Sequence, residues 1–179
     1  NILIDKRVGL PHNSKGNTTY TFVDNISADT YAFNPSDIVF FELHVKNTSN
    51  VALTDVEVTD FGPIHFDIYE NPGVKVDGEN TIKIKAGDFA AGEEKVFSVR
   101  GRIHNTDKVS LGTTCIVNRA RAAAGSVSDE DTAQFCFKKG MTTTTKVETI
   151  PSTGPEHTLM IMGLASVLGY VGTRLKKLA

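Results

Sequence analysis

The chain has 179 residues, 40% of them hydrophobic, and a formal net charge of −2. That length covers one domain and a tail, and that hydrophobic content furnishes a single core. The near-neutral balance, with lysines and arginines scattered, removes the electrostatic case for a nucleic-acid partner.

From residue 1 to 140 the pattern is one of short strands between turn signals. Ile2-Leu3-Ile4 opens a strand, a polar loop follows over residues 12–19, and residues 20–23 form the next strand. Residues 39–46 alternate: Phe41, Leu43 and Val45 share one face, and Glu42, His44 and Lys46 the other, which is the period of a half-buried strand. Asn47-Thr48-Ser49-Asn50 is a turn cluster. Over residues 51–59, Val56 and Val58 point inward and Asp55 and Glu57 outward. Strands at 64–69, 74–76 and 81–85 are separated by Asn71-Pro72-Gly73 and Asp77-Gly78, and residues 86–92 read as a loop. Residues 95–103, 114–124 and 131–138 complete the set. No helical period occurs before residue 155, so the expected fold is all-β, an antiparallel β-sandwich.

The last hairpin fixes its own register. A two-residue turn at Gly125-Ser126, glycine first, makes Ala124 oppose Val127. Counting outward in step puts Arg121 opposite Glu130 and Cys115 opposite Cys136. These are the chain's two cysteines, and facing positions of this kind can be bridged. A disulfide there is worth roughly 3 kcal/mol in the chain-entropy model. Two free buried thiols are the alternative.

Residues 141–157 break the strand pattern. Thr142-Thr143-Thr144-Thr145 is a low-complexity stalk. Ile150-Pro151-Ser152-Thr153-Gly154 follows, then an uncharged run over 158–173, then Arg174-Leu175-Lys176-Lys177. As a helix the run is about 24 Å long, marginal against a bilayer core of about 30 Å. Arg174, Lys176 and Lys177 suit a cytoplasmic stop, and Ala165, Gly169 and Thr173 line one helix face as a small-residue packing stripe. The domain expectation is therefore a β domain at 1–140, a Thr/Pro-rich linker at 141–157 and a hydrophobic helix with a basic tail at 158–179.

Pentapeptide, apolar run and basic end together resemble the Leu-Pro-x-Thr-Gly sorting signal of sortase substrates, with Ile150 in place of leucine. The resemblance implies a sortase partner, a cut between Thr153 and Gly154, and attachment to cell wall or to another subunit. The chain begins at Asn1 without a charged-then-apolar leader, so a secretion signal is expected to have been removed.

Residues 39–60, from Val-Phe-Phe-Glu-Leu through Asn-Thr-Ser-Asn to Val-Thr-Asp, resemble the conserved repeat domain of bacterial and archaeal cell-surface proteins, with Ser49 where that family usually has glycine. The resemblance extends over about residues 30–138. It implies an immunoglobulin-like sandwich and no enzymatic activity.

No motif for metal or cofactor chemistry stands out, so neither a metal nor a cofactor is expected. The five histidines lack ligand spacing, and there is no Gly-x-Ser-x-Gly or phosphate loop. Asp129-Glu130-Asp131 reads as a solvated hairpin flank rather than a calcium site. Lys6 and Asn118 are candidates for a lysine–asparagine isopeptide bond of the pilin-like kind, with a carboxylate such as Glu42 beside them. The resulting expectation is a non-catalytic structural protein of the cell surface, a self-associating subunit of an extracellular filament or layer held by its tail in membrane or wall. The N-terminal strand, residues 1–10, would complete a neighbour's sheet. A monomeric sortase-anchored adhesin or stalk is the alternative.

Overall fold

A computed structural model describes residues 1–69 and 75–140. The chain divides into Asn1–Met141 and Thr142–Ala179. The sorting-like motif Ile150 to Gly154, the expected helix with Ala165, Gly169 and Thr173, and the basic stop lie outside the described residues.

The described residues are all-β, in two antiparallel sheets. In chain order the strands are β1 (Ile2–Ser14), β2 (Asn17–Val23), β3 (Ile38–Asn47), β4 (Leu53–Phe61), β5 (Phe66–Ile68), β6 (Thr81–Phe89), β7 (Glu94–Ile103), β8 (Gly112–Ala124) and β9 (Val127–Lys139), with one 3-10 turn at Thr106–Lys108. One sheet runs β2-β1-β3-β7-β5 and the other β6-β4-β8-β9. Among the described residues no helix is long and apolar enough to cross a membrane.

Alternation builds the core. Ile2, Ile4 and Val8 of β1 and Val39, Phe41, Leu43 and Val45 of β3 meet Val56 and Val58 of β4 and Phe135 and Phe137 of β9. Phe41 and Phe66 from one sheet both pack edge-on against Phe135 from the other, with ring centroids 5.7 Å and 5.3 Å apart. The segment joining β2 to β3 runs along the outer edge of β9, through parallel bridges from Asn25 to Gln134 and from Phe33 to Phe137.

Two expected loops are strands. Residues 12–19 form the tip of the β1–β2 hairpin, with Ser14 opposite Asn17 across a two-residue turn. Lys15 and Gly16 both have positive φ, 49° and 85°, as a type I′ turn requires. Polarity concealed this hairpin because its tip is exposed on both faces. Residues 86–92 are likewise not all loop: β6 continues to Phe89 through a bulge at Gly87 (φ 74°), opposite a matching irregularity at Asp55 (φ 52°).

Candidate functional site

In three core-facing strands an inward position carries a polar side chain. On β1 the inward set is Ile2, Ile4, Lys6 and Val8; on β4 it includes Val56, Val58 and Asp60; on β8 it is Ile116, Asn118, Ala120, Ala122 and Ala124. Lys6, Asp60 and Asn118 are each wholly inaccessible to solvent. Residues of this kind are almost never fully buried unless their polar atoms are answered.

Lys6 and Asp60 answer one another. The Lys6 Nζ donates to Asp60 Oδ2 across the space between the sheets. The Phe41 ring closes over the amine, its centroid 4.5 Å from Nζ. Asn118 is placed by register. Asp60 stands opposite Ala120 in the β4–β8 ladder, so Asn118, two residues along the same face, is its diagonal neighbour, within reach of side-chain contact. The alanines at 120 and 122 leave that face of β8 open to a long side chain from the facing sheet.

Asn118 is answered by nothing. Among the described residues the buried side-chain atoms without a hydrogen-bond partner are Asp60 Oδ1, Asn118 Nδ2 and Asn118 Oδ1. Asn47, equally buried, shows what a structural asparagine does here. Its Nδ2 donates to the carbonyls of Val51, Phe89 and Ala90 at 2.8, 3.2 and 3.0 Å, and its Oδ1 accepts from Ser49 N at 3.0 Å. Each unanswered buried polar group costs about 1–3 kcal/mol. All three such atoms fall on Asp60 and its diagonal neighbour Asn118, and Asp60 is the residue that bonds the buried lysine.

Burial pushes the Lys6 ammonium below its ordinary pKa; the pulls of the Asp60 and Asp131 carboxylates act the other way and are outweighed. A neutral amine has a lone pair and is a nucleophile. A carboxamide carbon is an electrophile, and a carboxyl group that touches the amine can take up its proton or return it. The constellation is therefore equipped for acyl transfer from amide to amine.

The backbone of Lys6 is clasped as well. Below Val8, β1 is not covered by β2, and its free amides turn to β9: Ile4 N donates to Asp129 Oδ2 at 3.0 Å and Lys6 N to Asp131 Oδ2 at 2.7 Å. This corrects the reading of the acidic run as a solvated flank. Only Glu130 faces water, paired with Arg119 at 2.9 Å. The carboxylate expected near Lys6 is also corrected. Glu42 pairs in register with Arg7, on the outer face, and bonds His44 Nε2 at 3.2 Å; Asp60 is the acid at the site. Nothing in the alternation hid Asp60: it continues the inward series of Val56 and Val58, one residue past the expected strand end.

Cys115 stands opposite Cys136, and the two are disulfide-bonded, with Cα atoms 4.0 Å apart. Gly125 opens the turn with φ 56°. The bridge lies on the same two strands as Asn118 and Asp131. Among the described residues no group of three His, Cys, Asp or Glu side chains is placed to hold a metal ion.

No family model and no curated protein matches the chain. A solved structure described as AvmM, which catalyses macrocyclization in alchivemycin A biosynthesis, is similar to 75% of this chain and 98% of its own, at 12% identity and a TM-score of 0.37. The expectation of a non-catalytic structural surface protein, as assembly subunit or as anchored adhesin, is corrected: the comparisons lend it no support, and a solved structure among them is described as a catalyst. At that TM-score the likeness assigns no activity to this chain.

Proposed function

We propose that the chain is a self-cross-linking β-sandwich of immunoglobulin-like type, in which Asp60 promotes condensation of the Lys6 amine with the Asn118 carboxamide. One proton passes from the Lys6 ammonium to the Asp60 carboxylate it touches, a transfer helped by the burial that disfavours the charged amine. The acid donates a hydrogen bond to Asn118 Oδ1 and polarises the carbonyl. Nζ attacks Cγ, a proton of the amine passes through the Asp60 carboxyl to Nδ2, and the Cγ–Nδ2 bond breaks. Ammonia leaves; a Cγ–Nζ amide joins β1 to β8. Atoms balance without an oxidant or a co-reactant. Holding both partners in one rigid core replaces the encounter that makes the same reaction immeasurably slow between free side chains.

The observation that carries this reading is the orphaned Asn118. An ordinary buried ion pair has no use for an unanswered amide at its side. In the product the unpaired amino group is gone, and the new N–H has Asp60 as its acceptor. The Phe41 ring over the amine, itself backed by Phe66 and Phe135, keeps out the water that would compete for the carbonyl. We further propose an extracellular location. The disulfide supports it, since such bonds persist in oxidising compartments, as does the sorting-like tail, whose sortase and envelope attachment belong to the same proposal.

Intact mass spectrometry tests the bond. The disulfide-bonded chain is expected one ammonia lighter than its sequence requires, and proteolysis should yield a branched peptide joining Lys6 to Asn118. Asp60→Asn, which keeps the shape and removes the proton carrier, should return the mass of the ammonia. A wild-type chain at full mass overturns the reading.

A further inference from the structure

The two covalent bridges, taken in their chain positions, form a continuous path, and we propose that this path makes the domain a tension-bearing link that does not lengthen under load. The inference rests on the Lys6–Asn118 amide proposed above, joined to the disulfide that the structure contains.

Force entering at the N-terminal strand travels along residues 1–6 and crosses to β8 at Asn118. Without a second bridge it would then have to run on through the turn at Gly125 and back along β9, and would open that hairpin. The disulfide removes the detour. Cys115 lies three residues from Asn118 on β8, and Cys136 lies three residues before the end of β9 at Lys139. The load therefore runs 1–6, amide, 118–115, disulfide, 136–139. Residues 7–114 and 119–135 hang outside the path and carry no tension. Their hydrogen bonds need not resist the pull.

Strand order makes this placement non-trivial. β1 and β8 belong to different sheets, so the amide closes the gap between sheets while the disulfide closes the gap between neighbours in one sheet. Neither bridge alone short-circuits the chain. With the disulfide only, residues 7–114 come under load, about 370 Å of contour at the extended length per residue. With the amide only, the path lengthens by the hairpin, about 50 Å.

Single-molecule force spectroscopy on the full chain, held by handles at its two ends, reads these lengths directly; whatever residues 141–179 contribute is common to every sample. The oxidised wild type should show no unfolding step within the domain. Asn118→Leu should release about 370 Å in oxidising buffer, and the wild type under reductant about 50 Å. The mass of each sample, measured beforehand, keeps the two ideas apart. A chain that has lost ammonia yet lengthens by hundreds of ångströms overturns the load path and leaves the cross-link standing. A chain at full mass removes the cross-link, and the load path with it.

Discussion

Replacing Asn118 with leucine gives opposite signs of stability change with and without the cross-link. The amide would close the loop from Lys6 to Asn118, which on the chain-entropy scale is worth about 4.7 kcal/mol for a loop near 100 residues. The disulfide loop, Cys115 to Cys136, shares only residues 115–118 with it, so the two constraints are nearly independent. Asn118→Leu keeps the volume, keeps the Lys6–Asp60 pair, and deletes the electrophile. If the wild type is cross-linked, the variant loses about 4–5 kcal/mol. For a domain of this size, where 1 kcal/mol moves the midpoint by about 4 °C, melting should fall by about 15–20 °C.

If the wild type is not cross-linked, the same substitution removes two unanswered polar atoms from an apolar core. That change stabilises, by about 1–3 kcal/mol for each group relieved. Scanning calorimetry in non-reducing buffer decides the sign, with far-UV circular dichroism and a thiol titration to show that strands and disulfide are retained. A leucine variant that melts at or above the wild type refutes the reasoning.

Three further outcomes follow from named contacts. A Cβ at Gly101 would lie 2.4 Å from Phe66 Cζ and 2.5 Å from the Asp67 carbonyl, so Gly101→Ala should cost about 1–3 kcal/mol; an unchanged urea midpoint would contradict that packing. Asp131→Ala removes the acceptor of the Lys6 backbone amide and should slow amide formation in freshly synthesised chain, followed by mass against time, while Asp131→Asn, which keeps an acceptor oxygen, should restore most of the rate; equal rates in the alanine variant and the wild type dismiss the clasp. In Asn118→Leu, Lys6 stays a free amine whose folded pKa lies below its unfolded value of 10.5. The unfolded chain then binds the extra proton, so stability should rise with pH in the window below 10.5. Urea unfolding across that window, set against the Lys6→Met, Asn118→Leu double variant, isolates the effect, and a flat or falling difference rules it out.

Much of the fold is legible in the residues, because alternation is a local property. Phe41, Leu43 and Val45 face the core as their period demands. Pairing outward from Gly125-Ser126 gives the register that forms, Arg121 against Glu130 and Ala124 against Val127. The failures are also local in origin. The tip of the β1–β2 hairpin is exposed on both faces, so no alternation marks it, and β6 crosses a bulge at Gly87 that shifts its phase.

The site was half legible, for a different reason. Parity alone assigns Glu42 outward, between Phe41 and Leu43, and assigns Asp60 inward, two steps past Val58. The acid could therefore have been chosen from the sequence by carrying the β4 pattern one residue further. Parity cannot say which inward residues of one sheet meet which of the other, because that depends on how two twisted sheets are stacked. Lys6 and Asn118 lie more than a hundred residues apart, on strands that share no ladder. Only the packed core brings Lys6 to Asp60, and the β4–β8 register brings Asp60 to Asn118. Each of the three positions, taken alone, is a polar residue where an apolar one would stabilise more. Such a substitution persists in a core only when its cost is offset, and an ion pair offsets it at Lys6 and Asp60 but not at Asn118. A new covalent bond offsets all three together, which is why three violations of alternation tied by one contact and one step of register carry more weight than any one of them.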